Sequence, residues 1–144
     1  MNIQQGTLFT PGRVIRPGTK YWLTPPDLYK KLDYKYCFDF DPCPFPLPDH
    51  WDGLNMSWGK MNFVNPPFCK MDGPGPVQFV KKAIEEQKQG NSSFFLLPVR
   101  SYIDLLFSAG AKYETLGRVG WIDAETGIKE KNCGPVGGFY LPGR

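Results

Sequence analysis

The run Phe94-Phe95-Leu96-Leu97, preceded by Ser93 and closed by Pro98, is apolar at every position. Side chains of a strand alternate between its two faces, so a run with no polar member must be covered on both sides. That is the condition of strands in parallel sheets packed between helices. Upstream, Val77, Val80, Ala83, Ile84 and Gln87 recur at helical spacing, and the pattern stops at Gly90. Before that helix Lys60 to Val64 reads as a second strand, followed by a flexible connection, Met71-Asp72-Gly73-Pro74-Gly75-Pro76. Residues 60 to 97 therefore predict one βαβ unit with a right-handed crossover, and the chain is expected to be α/β.

The flanking segments are read in the same way. Residues 1 to 20, rich in Gly, Pro, Thr and Arg, form a loose N-terminal arm. Thr24-Pro25-Pro26-Asp27 is a helix start, with Thr24 as cap, Pro25 at the first helical position and Asp27 as capping-box carboxylate. This helix is expected to run to about Leu32 or Tyr34, burying Leu28 and Leu32. Tyr36 to Asp41 reads as an aromatic-rich strand. It ends at Pro42-Cys43-Pro44-Phe45-Pro46-Leu47-Pro48, where missing donors and fixed φ forbid helix and central strand. Residues 42 to 58 are thus a long loop carrying Asp49, Trp51, Asp52 and Trp58. A last helix is expected over Tyr102 to Ser108, ending at Gly110. Short strands follow near Lys112 to Leu116, Arg118 to Ile122 and Gly137 to Leu141, with a hairpin turn at Asp123-Ala124-Glu125-Thr126-Gly127.

At 144 residues, with 41% hydrophobic and 15% aromatic content, the chain holds a single domain, residues 21 to 144, with room for a real core but not for a separate recognition domain. A net charge of +3 permits a nucleic-acid partner without requiring one. Cys37, Cys43, Cys69 and Cys133 include no C-x-x-C pair, and His50 is the one histidine, so no metal site is expected. The start Met1-Asn2-Ile3-Gln4-Gln5 has no signal-peptide pattern and no long apolar run occurs, so no membrane partner is expected. The default is a reduced, cytoplasmic protein.

The chemistry concentrates in Asn65-Pro66-Pro67-Phe68, directly behind the apolar run Met61 to Val64. The exocyclic amine of adenine is a poor nucleophile because its lone pair is delocalised into the ring. The side-chain oxygen of Asn65 and the carbonyl of Pro66 can each accept one N–H of such an amine, favouring the pyramidal form whose lone pair can attack a methyl group. The prolines remove competing backbone donors, and Phe68 can stack on the base, a contact worth about 1–3 kcal/mol. The alternative is a Pro-Pro turn whose Phe68 packs into the core. Asp41-Pro42 and the tetrapeptide both fall at carboxyl ends of predicted strands, the edge at which open α/β sheets bind ligands.

Four stretches together resemble the small phage-type, Dam-like DNA N6-adenine methyltransferases. They are Tyr21-Trp22-Leu23-Thr24-Pro25, Phe38-Asp39-Phe40-Asp41-Pro42, Asp52-Gly53-Leu54 with Trp58-Gly59, and Phe63 to Phe68; Leu96 to Arg100 and Gly117-Arg118 look like later family strands. The resemblance covers residues 21 to about 141. It implies an abbreviated Rossmann-like methyltransferase sheet with flanking helices and a C-terminal antiparallel hairpin, S-adenosyl-L-methionine (SAM) as cofactor and adenine in DNA as acceptor. The base is flipped or already single-stranded. Asn65, Pro66, Pro67 and Phe68 would hold it. Trp22, Thr24, Pro25, Asp41, Pro42 and Asp52 would face the cofactor, and Lys70 and Arg100 the nucleic acid. If phage-encoded, the protein would work in the host cytoplasm. No glycine-rich loop follows Asp41, and only 65 − 41 = 24 positions separate it from Asn65. The sheet must therefore be abbreviated or reordered, and SAM held in a different cradle from that of larger methyltransferases.

Each residue also has a simpler reading. Asp41 can cap the next loop through an Asx turn, and Asp52-Gly53 is an ordinary turn signal. Trp22, Trp51 and Trp58 can be core aromatics. Thr24 is explained as a helix cap, and Arg100 either contacts phosphate or pairs with Asp104. Lys70 and Lys60 suit phosphate contact or plain solvation. The rival functions are methylation of RNA adenine or of a protein glutamine amide, and a non-catalytic nucleic-acid-binding module derived from a methyltransferase. A homodimer is compatible with the small size.

Overall fold

The computed structural model describes residues 22–67, 75–116, 119–123, 127 and 136–144. The elements in chain order are β1 (Trp22–Leu23), α1 (Pro26–Tyr36), β2 (Met61–Val64), α2 (Pro76–Gln87), β3 (Ser92–Pro98), α3 (Ile103–Ser108), β4 (Lys112–Glu114), β5 (Ile122–Asp123) and β6 (Val136–Leu141). The N-terminal arm, Phe68 to Pro74, Arg118 and most of the Asp123 to Gly127 turn lie outside the described residues.

The main sheet is mixed, open and four-stranded, ordered β2-β3-β6-β4. β2 and β3 are parallel, in register from Met61↔Ser92 to Val64↔Phe95, and α2 connects them, so the βαβ unit stands as the apolar run required. β6 lies antiparallel between β3 and β4, pairing Phe95↔Phe139 on one side and Tyr113↔Phe139 on the other. Beyond β2 a single parallel bridge, Phe40↔Asn62, extends the sheet.

Both faces of β3 are covered. On one face Phe95, Leu97, Phe139 and Leu141 pack against Phe79, Val80 and Ala83 of α2 and Leu106 of α3. On the other, Phe63, Phe94 and Leu96 meet Tyr29 and Leu32 of α1, with Phe38 and Trp121. Phe63, Val64 and Phe94 to Leu97 have no exposed surface. At about 1.5–3 kcal/mol per fully buried side chain, this double layer is what holds the sheet between its helices.

Three expectations are corrected. The strand Tyr36 to Asp41 reduces to the Phe40 bridge, because α1 runs on to Tyr36. Tyr36 Oη and Lys35 Nζ both donate to Glu114 Oε1 at 2.6 Å, tying the last helical turn to β4, and Cys37 closes it at φ 56°. Tyr36, the first residue of the aromatic run that resembles a strand, is thus drawn into helix by tertiary contacts. Thr24 does not cap α1: the N-cap is Pro25, Pro26 takes the first helical position, and no side chain caps the helix. Among the described residues the expected hairpin between 118–122 and 137–141 is not made either. β5 pairs antiparallel with β1, since both edges of β6 are already taken by β3 and β4.

At the amino edge of β3, Glu86 is a buried anchor. Its carboxylate accepts Asn91 Nδ2 at 2.8 Å and Trp58 N at 3.3 Å, and pairs with Lys82 at 3.1 Å, so it fastens the end of the long loop to α2. Burial opposes its ionisation, but the hydrogen bonds from Asn91 and Lys82, the Trp58 amide and the Lys82 charge outweigh it and hold the pKa below the ordinary 4.5. The folded state therefore binds this proton less readily than the unfolded chain. The stabilisation is complete above pH 4.5 and is lost as pH falls through the lower folded value. Glu86→Gln is expected to be less stable at neutral pH, yet to lose less stability on acidification. Urea midpoints on either side of pH 4.5 check this, and parallel acid limbs for the two proteins would contradict it.

Candidate functional site

The Phe40 segment, β2 and β3 run parallel and end at one edge of the sheet. Three chain turns leave from that edge: Asp41-Pro42 after Phe40, Asn65-Pro66-Pro67 after β2, and Val99-Arg100 after β3. Asn65 follows a strand as expected from the sequence, whereas Asp41, expected to end one, follows the single Phe40 bridge. The β1–β5 ribbon is joined to the Pro-rich loop by Leu23, Ile122 and Phe45, which form a small separate apolar cluster.

Asn65 is partly buried and Pro66 buried. Asn65 Nδ2 donates to Thr24 Oγ1 at 3.1 Å. Thr24 has no exposed surface, and Pro25 behind it is extended, with ψ 134°, before α1 begins. A residue preceding proline is disfavoured from helical φ/ψ, which keeps Thr24 outside α1. The residue expected to cap a helix thus meets the carboxamide expected to hold a base, 41 positions away.

Asp41 is 4% exposed and its Oδ1 accepts the Cys43 amide at 2.8 Å, so an Asx turn is in place. Its charge is felt nearby. Burial first and then Asp41 push the Cys43 thiol well up, and burial, Asp33 and Asp41 together raise the Tyr29 hydroxyl. Asp41 therefore sits against both the loop and α1.

The loop after Asp41 is built on the Pro42 carbonyl. Trp51 Nε1 donates to that oxygen at 2.9 Å, and a Cβ on Gly53 would collide with it. Trp58 Nε1 in turn donates to Gly53 O at 2.7 Å, and Trp51 stacks on Phe40 with centroids 5.8 Å apart. Both Asp52 oxygens are engaged in its own turn, Oδ1 by Leu54 N at 3.1 Å and Oδ2 by Asn55 Nδ2 at 2.6 Å. Those two contacts, Asn55 first, hold its carboxyl below the usual range. The turn reading of Asp52 is what its contacts show.

The remaining expected site residues fall as follows. Pro25 is the N-cap of α1, its carbonyl accepting Tyr29 N at 3.0 Å. The backbone of Trp22 pairs with Asp123 in the ribbon; its side chain, Phe68 and Lys70 lie outside the described residues. Arg100 is exposed on the carboxyl edge and makes no ion pair with Asp104. Beside it the hydroxyl of Tyr102, donating to Pro98 O at 2.6 Å, is pushed up to about 12 by burial against the opposing charge of Arg100. Two buried groups near this edge went unmarked in the sequence: on α1 the residues buried are Tyr29 and Leu32, where Leu28 and Leu32 were expected, and Asp123, expected in a hairpin turn, is 4% exposed in β5. Among the described residues no group of three His, Cys, Asp or Glu side chains could hold a metal, and no helix is long and apolar enough to cross a membrane.

Chemically, this edge gathers hydrogen-bond acceptors. It brings the Asn65 carboxamide and the Pro66 carbonyl to the end of β2, and the buried Asp41 carboxylate to the end of the neighbouring parallel segment. Compared with protein-family models, curated proteins and solved structures, the chain finds no match.

Proposed function

We propose that the chain is a SAM-dependent methyltransferase acting on the N6 amine of adenine in DNA, with low sequence specificity. The observation that carries this reading is the exit of Asn65-Pro66-Pro67 from the carboxyl end of β2, one parallel bridge away from the buried Asp41. In this reading the mixed sheet is an abbreviated Rossmann-like core.

The donor set fits the cofactor's polar groups. Asp41, just past the Phe40 bridge, would accept from a ribose hydroxyl or an ammonium group, and the Pro42 segment, backed by Trp51 and Gly53, would serve as a stiff wall in place of a glycine loop. SAM, when bound, supplies an electrophilic methyl group. The chain's own part is to accept the two amine hydrogens, at Asn65 Oδ1 and Pro66 O, and to keep the amine still. Donated hydrogen bonds at the amine favour pyramidal nitrogen, and no side-chain base is required because the surplus proton leaves to water. Arg100 on the same edge suits the phosphates of the strand that carries the base, and Lys70 suits them by its charge and its sequence position after the tetrapeptide.

The test is calorimetry with SAM, followed by labelled SAM offered in parallel to DNA, RNA and protein acceptors. Heat on SAM addition and label recovered as N6-methyladenine from DNA are the expected results. No binding at millimolar SAM would sink the proposal in favour of a nucleic-acid-binding module; label in RNA or in a glutamine amide would move the activity to that acceptor.

A further inference from the structure

We infer that β4 is a dimer interface, at which a second copy of this chain pairs antiparallel through its own β4 about a two-fold axis at Tyr113. The inference does not depend on the methyltransferase reading.

β4 ends the sheet order β2-β3-β6-β4, so β6 holds one of its edges and, among the described residues, no strand pairs with the other. A bare edge is a template for another strand, and proteins commonly guard such edges with lysine. Here the guard is Lys112. It guards poorly against a copy of its own strand, because Lys112-Tyr113-Glu114 sets a cation and an anion symmetrically about an aromatic residue. Directly opposed residues of an antiparallel pair share a face, and faces alternate along a strand, so a two-fold axis normal to the sheet must lie at a residue and not between two. An axis at Lys112 opposes lysine to lysine, and one at Glu114 opposes glutamate to glutamate. Of the three positions, Tyr113 alone sets Lys112 against Glu114, and does so twice. Like charges directly opposed weaken a sheet pair, and opposite charges support it.

Both faces of β4 suit this register. Glu114 is turned toward α1, where Lys35 and Tyr36 donate to Oε1, and the pairs it makes leave Oε2 for a lysine of the second copy. Lys112 on the same face is exposed and forms no ion pair among the described residues. On the opposite face the rings of Tyr113 and Phe107 lie 5.3 and 6.0 Å from that of Phe139, yet these side chains remain 50% and 47% exposed. A second copy brings its own Tyr113 and Phe107 to that face, where the rings cover one another. The interface is isologous, and it joins two four-stranded sheets into one. The carboxyl edges that carry Asn65 then lie at opposite margins of the joined sheet, and both stay open.

Sedimentation equilibrium of the full chain is expected to show a dimer at tens to hundreds of micromolar. Lys112→Glu opposes carboxylates at both charge pairs and should weaken the dimer by about tenfold, whereas Lys112→Arg should keep it. The melting temperature of the dilute, monomeric protein should be nearly the same in all three. Register is read by oxidative cross-linking: at the axis two Cβ atoms come close to disulfide reach, so Tyr113→Cys should link copies well above wild type, whose exposed Cys37 sets the background. Lys112→Cys, opposite Glu114, should stay at that background. A wild-type chain that is monomeric throughout would overturn the inference, and protection of its β4 amides from exchange would then mean that another segment of the same chain covers the edge. A dimer indifferent to Lys112→Glu would place the interface elsewhere. Cross-linking of Lys112→Cys as readily as Tyr113→Cys, or assembly past the dimer, would rule out the two-fold axis at Tyr113.

Discussion

Asn65→Ala is expected to lower the single-turnover rate of methyl transfer by roughly 10²–10³, while SAM binding stays close to wild type. The magnitude is that of removing one preorganised group aimed at charge that develops in the transition state, about 2.7–4 kcal/mol. The Asn65 oxygen acts on the amine hydrogens and not on the methyl donor, so the loss should appear in the rate and not in the calorimetric affinity. The variant also strands the buried Thr24 hydroxyl, whose partner is Asn65 Nδ2. An unsatisfied buried group costs about 1–3 kcal/mol, so a lowered melting temperature is expected beside the lost rate. Asn65→Asp separates the two effects. A carboxylate keeps the acceptors, and the Thr24 hydroxyl can reverse its role and donate to it, so both stability and part of the rate should return. Wild-type turnover by Asn65→Ala would remove the carboxamide from the chemistry altogether.

How much of this was legible beforehand differs from element to element, for physical reasons. The βαβ unit was legible because burial on both faces of β3 and the period of α2 are each imposed by packing and written directly into residue type. The long loop was legible because prolines exclude both regular structures. The segment Tyr36 to Asp41 was misread, since aromatic residues serve equally in a strand and in a helix end, and only the cross-links from Lys35 and Tyr36 to Glu114 decide between them. The partner of β5 was illegible because pairing depends on which edges of β6 remain open, a property of the finished sheet. For the site, the position of Asn65 at a strand end followed from local pattern. Its contact with Thr24 did not, because a threonine before Pro-Pro carries a complete local explanation as a helix cap. For Asp41 the structure shows the Asx turn that the sequence offered, in a carboxylate whose burial the turn signal alone did not reveal.

Gly138→Val is expected to destabilise the fold by about 3 kcal/mol, against what strand preference alone would suggest. Valine favours strands and glycine weakens their interiors, so at an interior position of β6 the substitution looks favourable. The sheet gives the opposite sign. A Cβ at Gly138 would stand 2.6 Å from Cζ of Phe94 and 3.2 Å from the Glu114 carbonyl oxygen. Phe94 has no exposed surface, and its ring is held by Tyr36 at 4.7 Å and Phe38 at 6.3 Å, so it cannot swing clear. Overpacking of this kind costs about 1–3 kcal/mol, and the two further methyl groups of valine push toward the upper end. That corresponds to a melting temperature lower by roughly 10 °C for a domain of this size. The neighbouring Gly137→Val is the control. Its Cβ would meet the ring of Tyr113 on the other face, and that residue is 50% exposed and can move into solvent, although Phe139 at 3.2 Å keeps the change from being free. Thermal unfolding of the two variants should therefore place Gly138→Val well below Gly137→Val. Equal losses, or a gain at Gly138, would mean that the aromatic ring over the glycine is not what fixes β6 between its neighbours.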